Sequence, residues 1–144
     1  VFQQNFPPEL AHKVGLSGGH MTSAMKALGC VGAISNGPSR DIDEIRGLNF
    51  QYLLSGISPG HGELAVHAIN VGVSVAGMDV EPGEIIHMDE NGACKFPASR
   101  LHDVWVNSRK LMQEEERRMA RLKLPATVEE VRRILEDLPY SKNR

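Results

Sequence analysis

Long apolar runs are missing from this chain. None approaches the roughly 20 residues needed to cross a bilayer, so a membrane-spanning helix is not expected. An excess of either charge is missing too: 16 Lys and Arg stand against 18 Asp and Glu, a formal net charge of -2. No broad basic field results, and nucleic acid is not a favoured partner. The start has no initiator Met and no basic-then-apolar secretory signal, so Val1 points to processing, proteolysis or trimming. Cysteine is scarce. Cys30 and Cys94 stand alone in apolar surroundings without a CxxC partner, which argues against a redox or structural-metal pair. They read as two buried free thiols of a reducing, cytoplasmic compartment. The histidines His12, His20, His61, His67, His87 and His102 form neither HxH nor HExxH spacing, so they do not make a metal site by themselves. Internal repeats and low-complexity tracts are also absent.

What remains is ordinary for a globular protein. The 144 residues, 41% apolar and 24% charged, suffice for one compact domain. Three textures follow one another. From Val1 to about Ser58, Gly-rich turns alternate with short apolar stretches. Phe6-Pro-Pro-Glu9 must be a turn or loop. Met21, Ala24, Met25 and Leu28 recur at helical spacing and predict an amphipathic helix from His20 to Leu28, with Gly29 as its C-terminal cap. Val31 to Ser35 fits a buried strand, and Asn36-Gly37-Pro38 breaks it. Ser39 is placed to cap a short helix from Arg40 to about Arg46, with Asp41 and Asp43 in its first turn. Phe50 to Leu54 reads as a strand. The rhythm is α/β.

From about Glu63 to Pro97 the chain reads as strands. Val71, Val73 and Val75 alternate with smaller residues, Glu81-Pro82-Gly83 signals a turn, and Asp89 to Gly92 signals a hairpin between Glu84–Met88 and Ala93–Phe96. A β-rich layer is expected here instead of further parallel βαβ units. From Ala98 onward the chain reads as helix. One helix, from about Ser99 to Lys123, would be roughly 37 Å long at 1.5 Å per residue. Pro125 ends it, and Thr127 caps a second helix from Val128 to about Leu138 with Glu129 and Glu130 in its first turn. The tail from Tyr140 to Arg144 is polar and expected to be loose.

Two stretches offer chemistry. Gly18 and Gly19 precede a helix whose first amides, near His20 and Met21, suit a carboxylate; the same residues also make an ordinary Gly-rich turn. Arg40 offers a planar fork to a carboxylate, and Asp41 is a hard oxygen ligand for Mg or Mn. Both follow an apolar strand, where α/β sheets usually bind ligands; equally, Asp41 serves as a helix-start acid beside a solvated Arg. His20 draws notice only because it follows the glycines. Glu114-Glu-Glu-Arg-Arg118 reads as a solvated helix face with i,i+4 pairs.

These signals occur in a known order. Gly18-Gly19-His20-Met21 and then Gly29-Cys-Val-Gly-Ala-Ile-Ser-Asn-Gly-Pro-Ser-Arg40-Asp41-Ile-Asp-Glu-Ile-Arg46 resemble the RraA-like family, as does Val80-Glu-Pro-Gly-Glu-Ile-Ile-His-Met-Asp-Glu-Asn-Gly92 with Phe96-Pro97. The resemblance runs from Val1 to about Leu122. It implies an α/β fold of the swivelling β/β/α kind with a long C-terminal helix. Residues 1–97 would be a partial domain, entered after its first elements, and 98–144 a helical extension. It also implies homotrimers or hexamers with sites between subunits, and a small 2-oxo acid as substrate.

In the family's aldolases the chemistry is lyase chemistry, retro-aldol cleavage or oxaloacetate decarboxylation through a metal-stabilised pyruvate enolate. Carried over by position, Arg40 binds the pyruvoyl oxygens, Asp41 binds the divalent metal (Mg or Mn), and the amides near Gly18, Gly19, His20 and Met21 hold the substrate carboxylate. The family's second acid falls on Gly19. Losing such a partner costs roughly 10- to 100-fold in affinity or activity. Glu114, Glu115 and Glu116 all fall in the region from which, by the resemblance, aldolases send a glutamate to a neighbouring subunit. Other family members inhibit a ribonuclease without turnover, so a non-catalytic binding protein or a vestigial structural oligomer is the alternative reading.

Overall fold

In a computed structural model, residues 1–136 are described. The chain forms two compact units, Val1–Ala98 and Ser99–Arg144.

The first unit grows from a parallel pair. Strand β1 (Gly32–Ile34) lies beside β2 (Gln51–Leu53), with Ala33 opposite Tyr52. Phe2 bridges to Ser35, and Ser39 bridges to Ile57 beyond the strand end. Helix α1 (Gly19–Ala27) precedes β1, helix α2 (Ile42–Arg46) lies between β1 and β2, and the two helices contact each other. Ala33, Ile34, Ile45 and Phe50 are buried around it. Each of the larger side chains contributes about 1.5–3 kcal/mol by leaving water.

Helix α1 ends as expected. Gly29 takes φ +92°, its N–H donates to the Lys26 carbonyl at 3.0 Å, and the Cys30 N–H donates to the Met25 carbonyl at 3.0 Å. That pair of bonds closes the helix through a left-handed residue that suits glycine. The face that α1 buries differs from the expected one. Gly19 and Thr22 are buried, whereas Met21 and Leu28 are exposed. The Thr22 hydroxyl donates to the Gly18 carbonyl at 2.9 Å. Contacts at the helix start, not the apolar stripe, set how α1 docks.

Helix α2 also departs from expectation. Asp41 is its N-cap, in the left-handed region at φ +56°, and makes no side-chain capping bond. Ser39 does not cap it: the Ser39 side chain is fully buried and donates to the Ser17 carbonyl at 2.8 Å. Asp43 and Glu44 supply the first-turn acids.

Two antiparallel hairpins follow. Strands β3 (Val73–Val75) and β4 (Met78–Val80) turn through Ala76 and Gly77, both at positive φ. Val75 and Val80 are buried while Ser74 and Asp79 face outward, the period-2 pattern of a half-buried pair. Strands β5 (Ile85–Asp89) and β6 (Gly92–Phe96) pair in the expected register, with Asp89 opposite Gly92. The Asn91 N–H donates to Asp89 at 2.8 Å in the turn and holds that carboxyl below its ordinary range. Strand structure begins only at Val73. Residues 63–72, expected as strand, form none, and Leu64, Val66, Ile69 and Val71 are exposed. The thiols are a second correction, since Cys30 and Cys94 are both exposed. Cys30 lies where the chain leaves α1, and Cys94 sits opposite the exposed His87 on the open face of its hairpin.

A 3-10 turn, Ala98–Arg100, spans the boundary and leads into the 22-residue helix α3 (Leu101–Leu122) of the second unit, about 33 Å long at 1.5 Å per residue. Arg118 and Glu114 pair at 3.6 Å on α3, as the charge run suggested. Helix α4 (Val128–Glu136) packs on α3 and buries Ile134. Thr127 starts it with a reciprocal capping box: its N–H donates to Glu130 at 2.7 Å, and the Glu130 N–H returns to its hydroxyl at 3.3 Å. The expected end near Leu138 and the tail from Tyr140 lie outside the described residues. Among the described residues no helix is long and apolar enough to cross a membrane.

Candidate functional site

The strand β1 ends at Ile34, and beyond the Ser35 bridge Asn36-Gly37-Pro38 carries the chain across its carboxyl end. There it meets the segment that leads into α1. The Leu16 N–H donates to the Pro38 carbonyl at 3.2 Å, and the Arg40 N–H donates to the Ser17 carbonyl at 3.2 Å. The Gly15 N–H reaches the Gly60 carbonyl at 3.2 Å. Two loops distant in sequence are thereby zipped side by side, one ending in Gly18-Gly19 and the other in Arg40-Asp41.

Side chains close the junction. Asp41 Oδ2 accepts the Gly19 N–H at 2.9 Å and lies 3.8 Å from Arg40 Nε. Arg40 also donates to the Gly15 carbonyl at 3.4 Å. Its side chain is 19% exposed, so the guanidinium is held against the loop yet open to a ligand. The left-handed backbone of Asp41 is a conformation Asp tolerates better than most residues, and here it turns the carboxylate back toward α1.

The glycines are explained by what surrounds them. A Cβ at Gly18 would overlap Asp41 Oδ2 and come within 2.9 Å of Arg40 Nε. A Cβ at Gly19 would overlap Glu44 Oε2. The absence of side chains at both positions makes room for two carboxylates and a guanidinium at the start of α1. The His20 and Met21 amides stand in the first helical turn, where intrahelical acceptors do not exist.

Of the residues singled out in the sequence, Gly18, Gly19, Arg40 and Asp41 are therefore brought together. His20 and Met21 are exposed on the first turn of α1. Met21 and Arg40 line an open cleft with Leu16 and His61. Glu114, Glu115 and Glu116 are exposed on α3 in the other unit. Glu44 was missed. Its signal was its place three residues after Asp41, one turn along and on the same side. Ser17, Ser39 and Tyr52 were missed as well.

The donor chemistry suits a hard divalent cation. Asp41 and Glu44 supply carboxylate oxygens, and Mg-type ions bind through one or two carboxylates while taking their other ligands from water and substrate. Among the described residues no group of three or more His, Cys, Asp or Glu is placed to hold a metal unaided.

Residues 9–94 match the family described as RraA-like, Aldolase/RraA. A Halalkalibacterium halodurans protein, provisionally named a 4-hydroxy-4-methyl-2-oxoglutarate aldolase, is 27% identical over 104 residues, 72% of this chain and 50% of that protein. Among solved structures, an uncharacterized protein from Pseudomonas syringae pv. tomato superposes with a TM-score of 0.71 at 25% identity, covering 84% of this chain and 62% of that one. The RNA-processing inhibitor RraA from Thermus thermophilis gives a TM-score of 0.56 at 25% identity, covering 60% of this chain and 53% of that one. The chain spans half or less of the length of the curated relatives it matches.

Proposed function

The chain belongs to the RraA-like family, and on that premise we propose that it is a divalent-metal-dependent lyase acting on a small 2-oxo acid, by retro-aldol cleavage or by oxaloacetate decarboxylation. The fold is the α/β fold of that family. The family's names include both an aldolase and an RNA-processing inhibitor. One observation carries the lyase reading: a guanidinium, Arg40, and two carboxylates, Asp41 and Glu44, gather around the side-chain-free start of α1.

Each group then has a role. The planar fork of Arg40 suits the carboxylate or keto oxygen of the substrate, and its charge offsets the negative charge that builds there as the carbon–carbon bond breaks. The His20 and Met21 amides receive a carboxylate at the helix start. Asp41 and Glu44 hold the cation, Mg or Mn. Such an ion, when bound, supplies Lewis acidity at the oxygens of the 2-oxo acid. Asp41 also fixes the loop through the Gly19 N–H. Gly19 stands where the family's aldolases carry their second acid, and the Glu44 carboxylate occupies the space that a side chain at Gly19 would need. The swivelling β/β/α arrangement, the division into 1–97 and 98–144, a cytoplasmic location and homotrimers or hexamers belong to the same proposal.

The test is pyruvate release from oxaloacetate by the intact protein, with Mg, with Mn and with EDTA. Turnover above the free-metal background is expected, abolished by EDTA and reduced about 100-fold or more in Arg40→Ala. Equal rates in the two proteins would remove Arg40 from the chemistry. A second reading is favoured by Gly19 itself: without the usual acid, the chain would be a binding protein like the inhibitor from Thermus thermophilis. Absence of turnover with every metal would select it.

A further inference from the structure

Tyr52 sits on β2, beside Ala33 of β1. Its ring meets Phe50 edge-on, with centroids 6.0 Å apart at 79°. A phenylalanine would serve that packing equally well. The hydroxyl is what reaches further: it lies 2.8 Å from Ser17 Oγ, 35 residues away in sequence. Ser17 is fully buried and immediately precedes Gly18. Its carbonyl accepts two bonds from the other loop, the Ser39 hydroxyl at 2.8 Å and the Arg40 N–H at 3.2 Å. Ser39 is fully buried too. Two residues beyond Ser17, the Gly19 N–H donates to Asp41.

From these contacts we infer that Tyr52 is a positioning residue for the site: its hydroxyl, acting through Ser17, holds the glycine loop in register with Arg40 and Asp41. The inference rests on the lyase reading for its kinetic consequence, but the geometry stands independently. Buried hydroxyls are rarely left without partners, and a network of them fixes one arrangement more firmly than separate bonds do. The junction bears both the amides and the guanidinium. A shift of about 1 Å between such groups costs on the order of 100-fold in rate, so a single hydroxyl that limits smaller motions is expected to act on turnover more than on affinity. Burial pushes the Tyr52 phenol above its ordinary range, and its hydrogen bonds with Ser17 and Ser39 oppose that rise.

The experiment compares the intact wild-type protein with Tyr52→Phe, Ser17→Ala and the double variant. Thermal melting first confirms that each folds; if Tyr52→Phe does not, Ser17→Ala reports on the same bond. Oxaloacetate kinetics are then expected to show kcat lowered about tenfold in Tyr52→Phe with KM within about twofold. The double variant should be no slower than the slower single variant, as members of one network behave. Alongside, amide exchange at Gly19 should be about tenfold faster in Tyr52→Phe. If wild type turns over and Tyr52→Phe matches its kcat, the positioning role falls and the lyase reading stands. If wild type is inactive with every metal, the lyase reading falls, and exchange decides the positioning: faster exchange at Gly19 retains it, unchanged exchange overturns it.

Discussion

The junction where Gly15–Gly19 meets Pro38–Arg40 and the stretch from His61 to Val71 are opposites in both composition and burial. The junction is built from glycines, serines and an arginine, yet Ser17 and Ser39 expose no surface at all. The stretch carries Leu64, Val66, Ile69 and Val71 and leaves all four exposed, Val66 by 82%. Hydrogen bonding accounts for the junction. Its backbone groups cross from one loop to the other, and the Ser17 carbonyl takes two donors. Polar groups bury where neighbours satisfy them. In the stretch, Gly15 bridges to His61, and beyond that bridge residues 62–72 form no strand. Alternating apolar residues become a strand only when a ladder partner and a facing surface are present. The comparison teaches that closure of hydrogen bonds, more than hydropathy, decides what this unit buries around its site.

The strongest way to break that comparison is to pry the junction apart. A Cβ at Gly60 would overlap the Lys13 carbonyl oxygen, a backbone atom with no freedom to rotate aside. The Gly60 carbonyl in turn accepts the Gly15 N–H. Gly60→Ala is therefore expected to cost about 2–3 kcal/mol, in the range of overpacked interiors. Denaturant unfolding should show a lower midpoint at unchanged slope. A loss below about 0.5 kcal/mol would mean that the loops are not held as tightly as their bonds suggest.

What could be read from the sequence was local. Gly29 closing α1, the Asp89–Gly92 hairpin and the Thr127–Glu130 box each depend on residues within about one turn of each other, and all are found as expected. The candidate site was half legible. Gly18, Gly19, Arg40 and Asp41 were named as residues, and the structure brings them together. Glu44 escaped because the acid was sought at position 19, while the carboxylate arrives from α2. Ser39 was assigned to a cap, since Ser before a helix ordinarily caps it. Its actual partner, the Ser17 carbonyl, lies 22 residues away. Tyr52 was invisible for the same reason: a contact across 35 residues leaves no periodic trace. The apolar stripe of α1 misled because the helix docks by its polar start. The stretch from Glu63 misled because alternation says nothing about whether a neighbouring strand exists.

A second, smaller effect should appear at high pH. Burial raises the Tyr52 phenol above its ordinary value of about 10. In the unfolded chain the phenol ionises first, so between its unfolded and folded values the folded state holds more protons. Stability from this group is therefore complete below about pH 10 and declines as pH rises through the folded value. Tyr52→Phe cannot show this decline. The difference in unfolding midpoint between wild type and Tyr52→Phe, followed from about pH 8 upward, should stay constant and then shrink above about pH 10. A difference that stays constant throughout would mean that the phenol is not held in the junction.

The smallest effect belongs to the other side of the comparison. Val66 is the most exposed of the four apolar residues in its stretch. Threonine keeps its β-branched shape and replaces one methyl by a hydroxyl, which is costly in a core but not in water. If the stretch faces solvent in the intact protein, Val66→Thr should change stability by no more than about 0.5 kcal/mol, as surface substitutions do. A loss of more than about 1 kcal/mol would place Val66 against a surface supplied from outside the described residues. The stretch would then be an interior strand awaiting its partner, and the contrast with the junction would narrow from a difference in kind to a difference in which part of the protein completes the burial. Unfolding of wild type and variant at several protein concentrations separates the two sources of such a surface. Wild-type stability that falls on dilution, with a loss in the variant that shrinks as the copies separate, assigns it to another copy of the chain; stability and loss that are independent of concentration assign it to the same chain.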